Sequence, residues 1–251
     1  MVLMTLVACH HTAPTAPDAS TADLVDSSPS VLPSPPEEKS QAPVPTAEEI
    51  AEAAQYRQLG LDYRGQGRYE DAITALQDSV RLDPQNLSGQ VILGWTLHLA
   101  GQADEAIAVL QQALEQDASH VPALNALGIV YLVDGQLEAA VETHTQAVAL
   151  NPDNEIGYYN LSLAYHRLQD YEQAIANAQQ AATLEPGNPH PWVALALAQW
   201  DNQEINAAQQ TYQQAVALEP RYLDSWFLDH LQQAGFSPEQ IQLTEEIRQI
   251  F

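Results

Sequence analysis

Apolar and small residues recur at a fixed interval along most of the chain. Five copies of 34 residues align at 53–86, 87–120, 121–154, 155–188 and 189–222. Within each copy the apolar residues are three and four positions apart, which places them on one face of an α-helix. The pattern therefore predicts two helices, A and B, in each copy. The most regular positions are the seventh (Leu59, Leu93, Leu127, Leu161, Leu195), the eighth (Gly60, Gly94, Gly128, Ser162, Ala196) and the twentieth (Ala72, Ala106, Ala140, Ala174, Ala208).

Glycine and proline mark where the predicted helices end. Gly67, Gly101 and Gly135 stand at the fifteenth position, where helix A must stop. The thirty-second position is Pro in four of the five copies, and Pro stops helix B because it has no backbone N–H. These prolines are Pro84, Pro152, Pro186 and Pro220, with Ala118 as the exception. The fifth copy departs most, with Gln199 and Gln203 at the eleventh and fifteenth positions, as expected of a terminal repeat.

A 34-residue period with these preferences resembles the tetratricopeptide-repeat (TPR) family. The resemblance covers residues 53–222, about two thirds of the chain. It implies an all-α fold in which residues 48–222 form a right-handed superhelix of helix–turn–helix repeats. It also implies a function in protein–protein interaction rather than in catalysis.

The C-terminal residues 223–251 predict a helical cap on the array. Residues 223–234 resemble one more helix A, anchored by Trp226, and Gly235 ends this helix. A second helix is predicted to start after Ser237, whose hydroxyl suits the N-cap position. Further apolar contacts are expected from Ile241, Ile247 and Phe251.

Residues 1–9 are mostly apolar, and the run is too short to span a bilayer. The Leu-Val-Ala-Cys run that ends at Cys9 resembles the lipobox of bacterial lipoproteins, which implies cleavage before Cys9 and lipidation of its thiol. Residues 10–47 are rich in Pro, Ser, Thr and Ala and lack Phe, Tyr and Trp, a composition typical of a disordered tether. We expect a lipid-anchored protein of the bacterial envelope that faces the periplasm. The alternative is a cytoplasmic protein with an accidental apolar terminus.

The net negative charge of the chain disfavours some classes of binding partner. Eight Lys and Arg residues stand against 33 Asp and Glu residues, which gives a formal net charge of −25. Such a field repels phosphate backbones and anionic lipid headgroups, so neither nucleic acid nor a headgroup-bound surface is expected. Many acids lie just inside predicted helix starts, where they favour the helix dipole. The acidic surface therefore has two interpretations, a dipole-compatible solvated face or a face that selects a basic partner.

Sequence motifs for catalysis are absent. The chain has no Gly-rich phosphate loop, no Gly-x-Ser-x-Gly elbow and no His-Glu-x-x-His. None of its eight histidines pair at metal-ligand spacing. Cys9 is the only cysteine, which excludes an internal disulfide. We therefore expect no enzyme activity, no catalytic residue, no cofactor and no metal site.

The family resemblance implies where a partner would bind. In TPR arrays the concave face is lined mainly by helix A, at its second, fifth, ninth, twelfth and thirteenth positions. The fifth, ninth and twelfth positions give a candidate groove that is largely apolar, with Arg57 and Arg64 at its N-terminal mouth. Trp95 and Trp200 are the strongest candidates because Trp is enriched at binding hot spots. The whole set is Arg57, Leu61, Arg64, Val91, Trp95, His98, Asn125, Ile129, Leu132, Tyr159, Leu163, His166, Val193, Leu197 and Trp200.

An apolar groove in an acidic protein favours one kind of partner, an amphipathic helix or an extended apolar segment with basic flanks. A groove that clamps a C-terminal carboxylate needs several basic or Asn side chains. Here the ninth position is apolar throughout, which disfavours such a clamp. Apolar residues at the ninth position also have a second interpretation, which is packing within the array.

These observations predict a non-enzymatic TPR scaffold or adaptor, held at a membrane by a lipid rather than by a transmembrane helix, that binds an unidentified protein. Two alternatives stay open from the sequence. One is an assembly factor for a large photosynthetic or respiratory membrane complex. The other is a regulatory or substrate-recognition subunit of a separate enzyme.

Overall fold

The computed structural model describes residues 44–250, and the regular structure in this range is entirely helical. The lipobox-like residues 1–9 with Cys9, the tether as far as residue 43, and Phe251 lie outside the described residues. Residues 44–250 belong to one compact unit. Within this range, none of the helices has both the length and the hydropathy that a bilayer crossing requires.

Ten α-helices form five consecutive helix–turn–helix pairs, and a cap of three shorter helices follows. The pairs are α1 (Ala47–Gly65) with α2 (Tyr69–Leu82), α3 (Leu87–Leu99) with α4 (Ala103–Gln116), α5 (Val121–Asp134) with α6 (Leu137–Leu150), α7 (Glu155–Arg167) with α8 (Tyr171–Leu184), and α9 (Pro189–Asp201) with α10 (Ile205–Leu218). The cap consists of two 3₁₀ helices, Pro220–Leu223 and Ser225–Ala234, and of α11 (Pro238–Arg248).

The first helix is longer than the other A helices and starts one residue before the predicted start of the array at 48. Thr46 and Glu49 form a capping box, in which the Thr46 hydroxyl accepts from the Glu49 N–H and the Glu49 carboxylate accepts from the Thr46 N–H. This reciprocal pair satisfies two backbone donors and fixes the start of α1 at Ala47. The sequence analysis missed this capping box.

Small residues at the eighth position let helices A and B approach closely. A Cβ atom on Gly94 would lie 2.6 Å from Cγ of Leu110, and one on Gly128 would lie 2.5 Å from Nε2 of His144. Both distances are shorter than any normal contact, so a side chain at either position would force Leu110 or His144 to move. The close approach buries a leucine or histidine of helix B against the backbone of helix A.

The turn between helices A and B keeps one backbone conformation even where its glycine is lost. Gly67, Gly101 and Gly135 have φ values of 72°, 78° and 83°. Gln169 and Gln203 occupy the same position in the fourth and fifth repeats, with φ values of 63° and 66°. The left-handed turn conformation is thus retained in all five repeats, although positive φ is less favourable for Gln than for Gly.

Helix A of each later repeat starts at a side-chain cap. The thirty-fourth position accepts a hydrogen bond from a backbone N–H of the following helix in four repeats, and such caps stabilise a helix by about 1 kcal/mol. The capping residues are Asn86, His120, Asn154 and Asn188.

The A helices form the inner layer of the array. Successive A helices contact one another from α3 to α5, from α5 to α7 and from α7 to α9, and no two B helices of the described range contact as extensively. The repeats are therefore closer together on the side of the A helices, and this side is the concave face.

The cap differs from its prediction in one respect. Residues 225–234 form a 3₁₀ helix rather than another helix A, and Trp226 does not anchor it because its side chain is 68% exposed. In a 3₁₀ helix, residues three apart share a face, so Leu228 and Leu231 make the buried face instead. The helix ends at Gly235 with φ 86°. The predicted helix after Ser237 is present as α11, with a full capping box.

Candidate functional site

The cap lies against the concave face of the later repeats. The Tyr159 hydroxyl of α7 donates a hydrogen bond of 2.6 Å to the backbone oxygen of Ala234. Nε2 of Gln240, in α11, donates to the backbone oxygen of Leu163 at 3.3 Å and lies 3.2 Å from Nδ1 of His166. A Cβ on Gly235 would lie 3.7 Å from both Leu132 and Leu163. The chain therefore fills the C-terminal part of its own groove.

Five residues of the predicted groove have little exposed surface. Each is buried, with exposure between 0% and 8%, in the array or beneath the cap. The structure thus favours packing within the array or against the cap for these positions over exposure to a partner. The five are Leu132, Leu163, His166, Val193 and Leu197.

Asn125 also has a different role from the predicted one. Its Nδ2 donates to Oδ1 of Asn154 at 3.0 Å, and its Oδ1 accepts from Nδ2 of Asn154 at 2.8 Å. Asn154 in turn caps α7. The Asn125 amide thus joins the third repeat to the N-cap of the fourth through one donated and one accepted hydrogen bond.

An open cavity remains on the concave face, between α3, α5, α7 and the end of the 3₁₀ helix. Its volume is about 680 Å³. It brings together four predicted groove residues, Trp95, His98, Ile129 and Tyr159. None of the described residues that line it is Asp, Glu, Lys or Arg. The full lining is Tyr69, Trp95, His98, Leu99, Ile129, Val133, Ile156, Tyr159, Asn160, Gln232, Gln233, Ala234 and Gly235.

Three exposed apolar side chains line this open cavity and were missed by the sequence analysis. Leu99 is 40% exposed, Val133 is 51% exposed and Ile156 is 41% exposed. They occupy the thirteenth position of the second and third repeats and the second position of the fourth. The family resemblance placed the second and thirteenth positions on the concave face. The candidate set was drawn only from the fifth, ninth and twelfth positions and therefore omitted these three residues.

The imidazole of His98 adds no charge to the open cavity at neutral pH. Its ring centre lies 5.1 Å from that of Trp95. Partial burial lowers the pKa of His98 below its usual value, because burial disfavours the charged form. A neutral ring beside an indole makes this wall suited to an apolar side chain.

The remaining predicted groove residues lie outside the open cavity. Leu61, Val91 and the two arginines Arg57 and Arg64 are partly exposed on α1 and α3. Trp200 is partly exposed and packs against the apolar core of the array. The structure therefore separates the two Trp candidates, and only Trp95 lines the open cavity.

The described residues also bear on metal binding. Between residues 44 and 250, no three His, Cys, Asp or Glu side chains come together as a set of metal ligands.

Two family models, both described as tetratricopeptide repeat, match this chain. One matches residues 57–121, and the other matches residues 97–164 and 165–225. Together the matches run from residue 57 to residue 225, about two thirds of the 251 residues. No curated protein matches the chain.

Similar folds occur among solved structures. MamA from Desulfovibrio magneticus RS-1, solved from residue 41 to its end, has a TM-score of 0.61 and 24% identity, over 67% of this chain and 96% of its own. TTC0263, a thermophilic TPR protein of Thermus thermophilus, has a TM-score of 0.56 and 23% identity, over 68% of this chain and 94% of its own. At these identities the likeness concerns the fold, and it confirms the predicted all-α architecture of consecutive helix–turn–helix repeats.

Proposed function

We propose that this chain, which belongs to the tetratricopeptide-repeat family, acts as a non-enzymatic scaffold that holds a partner protein in the open cavity of its concave face. The observation that carries this proposal is the cavity itself, which has an uncharged lining in a chain of net charge −25. Apolar side chains are costly to leave in water when they are grouped on one surface, and such groups mark binding sites.

The partner contributes an amphipathic or apolar segment. Trp95 supplies a large and rigid contact surface, and Leu99, Val133 and Ile156 add exposed apolar area around it. Burying this area on binding is favourable by about 25 cal/mol per Å². Because the cap already covers much of the later repeats, the apolar contacts of the partner lie on the second, third and fourth repeats.

The scaffold is held at a membrane by a lipid on Cys9. The support is the Leu-Val-Ala-Cys run and the Pro-rich residues that follow it. A tether of this length lets the TPR array bind partners away from the bilayer surface. The proposed location is the bacterial envelope, on the periplasmic side.

The binding proposal is tested by capture of partners from detergent-solubilised membranes. We expect Trp95→Glu to lose a defined set of proteins, because a buried carboxylate in an apolar contact costs several kcal/mol. The matched control is Trp226→Glu, which changes an exposed Trp of the cap outside the cavity. Circular dichroism verifies that both variants are folded. If both variants retain the same proteins, the open cavity is not the binding site.

The anchor proposal is tested by labelling cells with an alkyne fatty acid. We expect the wild-type chain to carry the label and to sediment with membranes. Cys9→Ala removes the acceptor thiol, so this variant is expected to be unlabelled and soluble. A Cys9→Ala variant that still sediments with membranes to the same extent contradicts the anchor.

A further inference from the structure

Two more cavities continue the open cavity along the edge of the cap. A middle cavity of about 320 Å³ shares Val133, Gln232 and Gly235 with the open cavity. A far cavity of about 540 Å³ shares Arg167, Ser237 and Glu239 with the middle one. The three cavities therefore adjoin in a row, from α3 at one end to the end of α9 at the other.

The two ends of this row differ in charge. The open cavity has an uncharged lining, whereas the far cavity is lined by Asp201, Glu239, Glu246 and Arg167. Nη1 of Arg167 donates to the backbone oxygen of Leu132, and its guanidinium interacts with the Glu239 carboxylate. Arg167 and Glu239 thus offset each other, and the charges of Asp201 and Glu246 are left over.

His166 does not neutralise the far cavity. Its Nε2 lies 3.2 Å from Oδ2 of Asp201, but burial lowers the pKa of His166, chiefly by desolvation. The ring is therefore neutral at pH 7 and places no positive charge beside Asp201. The Tyr171 ring, 5.7 Å from that of His166, supplies an aromatic wall beside this carboxylate, as in sites that bind a guanidinium or an ammonium group.

We propose that the partner segment lies along this row of cavities, with apolar side chains in the open cavity and a basic side chain in the far cavity, between Asp201 and Glu246. This inference rests on the proposed function of the open cavity. Among the described residues that line the far cavity, Arg167 is the one cation, and the three carboxylates Asp201, Glu239 and Glu246 outnumber it. The far cavity therefore accepts a positive charge from outside.

The spacing along the partner follows from the packing of the repeats. Three steps between neighbouring A helices separate α3 from α9, and each step is about 8–10 Å. An extended chain covers about 3.3 Å per residue, so the basic residue lies about eight residues from the apolar residue at α3 and closer to those at α5 and α7. The net charge of −25 also steers a basic segment toward the array.

The experiment is a selection of random 16-residue peptides, displayed on phage, against the purified full chain. Peptides that bind wild type but not Trp95→Glu are kept, with Trp226→Glu as the matched control. Each is then synthesised, and its affinity is measured for wild type, Glu246→Gln and Glu115→Gln. Glu115 is an exposed acid of α4 outside the three cavities, so its variant controls for the general loss of one charge.

We expect the kept peptides to share an apolar group and, within about eight residues of it, an Arg or Lys. Glu246→Gln should weaken their binding about two- to fivefold, as for an exposed ion pair, and Glu115→Gln should not. Kept peptides without that basic residue, or with affinities that Glu246→Gln leaves unchanged, overturn this inference and leave the open cavity as the binding site. If no peptide depends on Trp95, the proposed function and this inference both fail.

Discussion

His144 occupies the twenty-fourth position of the third repeat, where the first two repeats carry Leu76 and Leu110. Its side chain is fully buried against Gly128, and its ring nitrogens lack hydrogen bonds of normal geometry. Burial lowers the pKa of His144 from 6.5 to about 4. The repeat register placed His144 at a core-facing site. The packing shows in addition that neither ring nitrogen forms a hydrogen bond of normal geometry there.

The lowered pKa of His144 makes the free energy of unfolding depend on pH. The unfolded chain binds a proton near pH 6.5 and the folded chain only near pH 4, so the stability present above pH 6.5 is lost as the pH falls toward 4. Between pH 7 and pH 5 the loss due to this residue is about 2 kcal/mol. Urea unfolding followed by circular dichroism at the two pH values measures it.

The variant His144→Leu isolates this contribution. At pH 7 we expect it to be more stable than wild type by about 1–3 kcal/mol, because two unsatisfied polar atoms leave the core. Its loss of stability between pH 7 and pH 5 should be smaller by about 2 kcal/mol. The other buried histidines remain in both proteins and cancel in this difference. An equal pH dependence in the two proteins contradicts the assignment.

The helices of the array could be predicted from the sequence because the same pattern of apolar and small residues recurs in five copies. Small residues at the eighth position and Ala at the twentieth indicated a close approach of helices A and B, and the structure places these helices as consecutive pairs. The cap could not be predicted in the same way, because residues 223–251 lie outside the five aligned copies. No second copy of this segment shows which of its positions are buried. Trp226 was chosen by analogy with earlier aromatic positions, and a 3₁₀ helix turns it outward.

The cap is also the element that decides how much of the groove is open. Leu231 is fully buried, and replacing a buried Leu by Ala costs about 2–5 kcal/mol. We expect Leu231→Ala to loosen residues 225–248 and to raise their amide hydrogen exchange, while α3 to α6 keep their protection. Asp229→Ala, an exposed site in the same 3₁₀ helix, should leave exchange unchanged. Equal exchange in the two variants contradicts the role of Leu231 as an anchor.

At the scale of the whole molecule, the candidate groove was only partly predictable. The repeat register identified the inner face correctly, and Trp95, His98, Ile129 and Tyr159 do line one cavity. The later repeats were assigned to the partner because sequence periodicity reports which face is concave but not what lies on it. The long-range fold of the cap onto α7 and α9 is a tertiary contact without a local sequence signal.

The central claim is that the open cavity, and not the outer surface, receives the partner. A photo-crosslinking amino acid in place of Val133, which is 51% exposed in the cavity, tests it in living cells. The control carries the same group in place of Leu150, a 46% exposed residue at the end of α6 and outside the three cavities. If the partner binds in the open cavity, we expect a discrete protein adduct from position 133 and none from position 150. The same adducts from both positions, or adducts from position 150 alone, would contradict it.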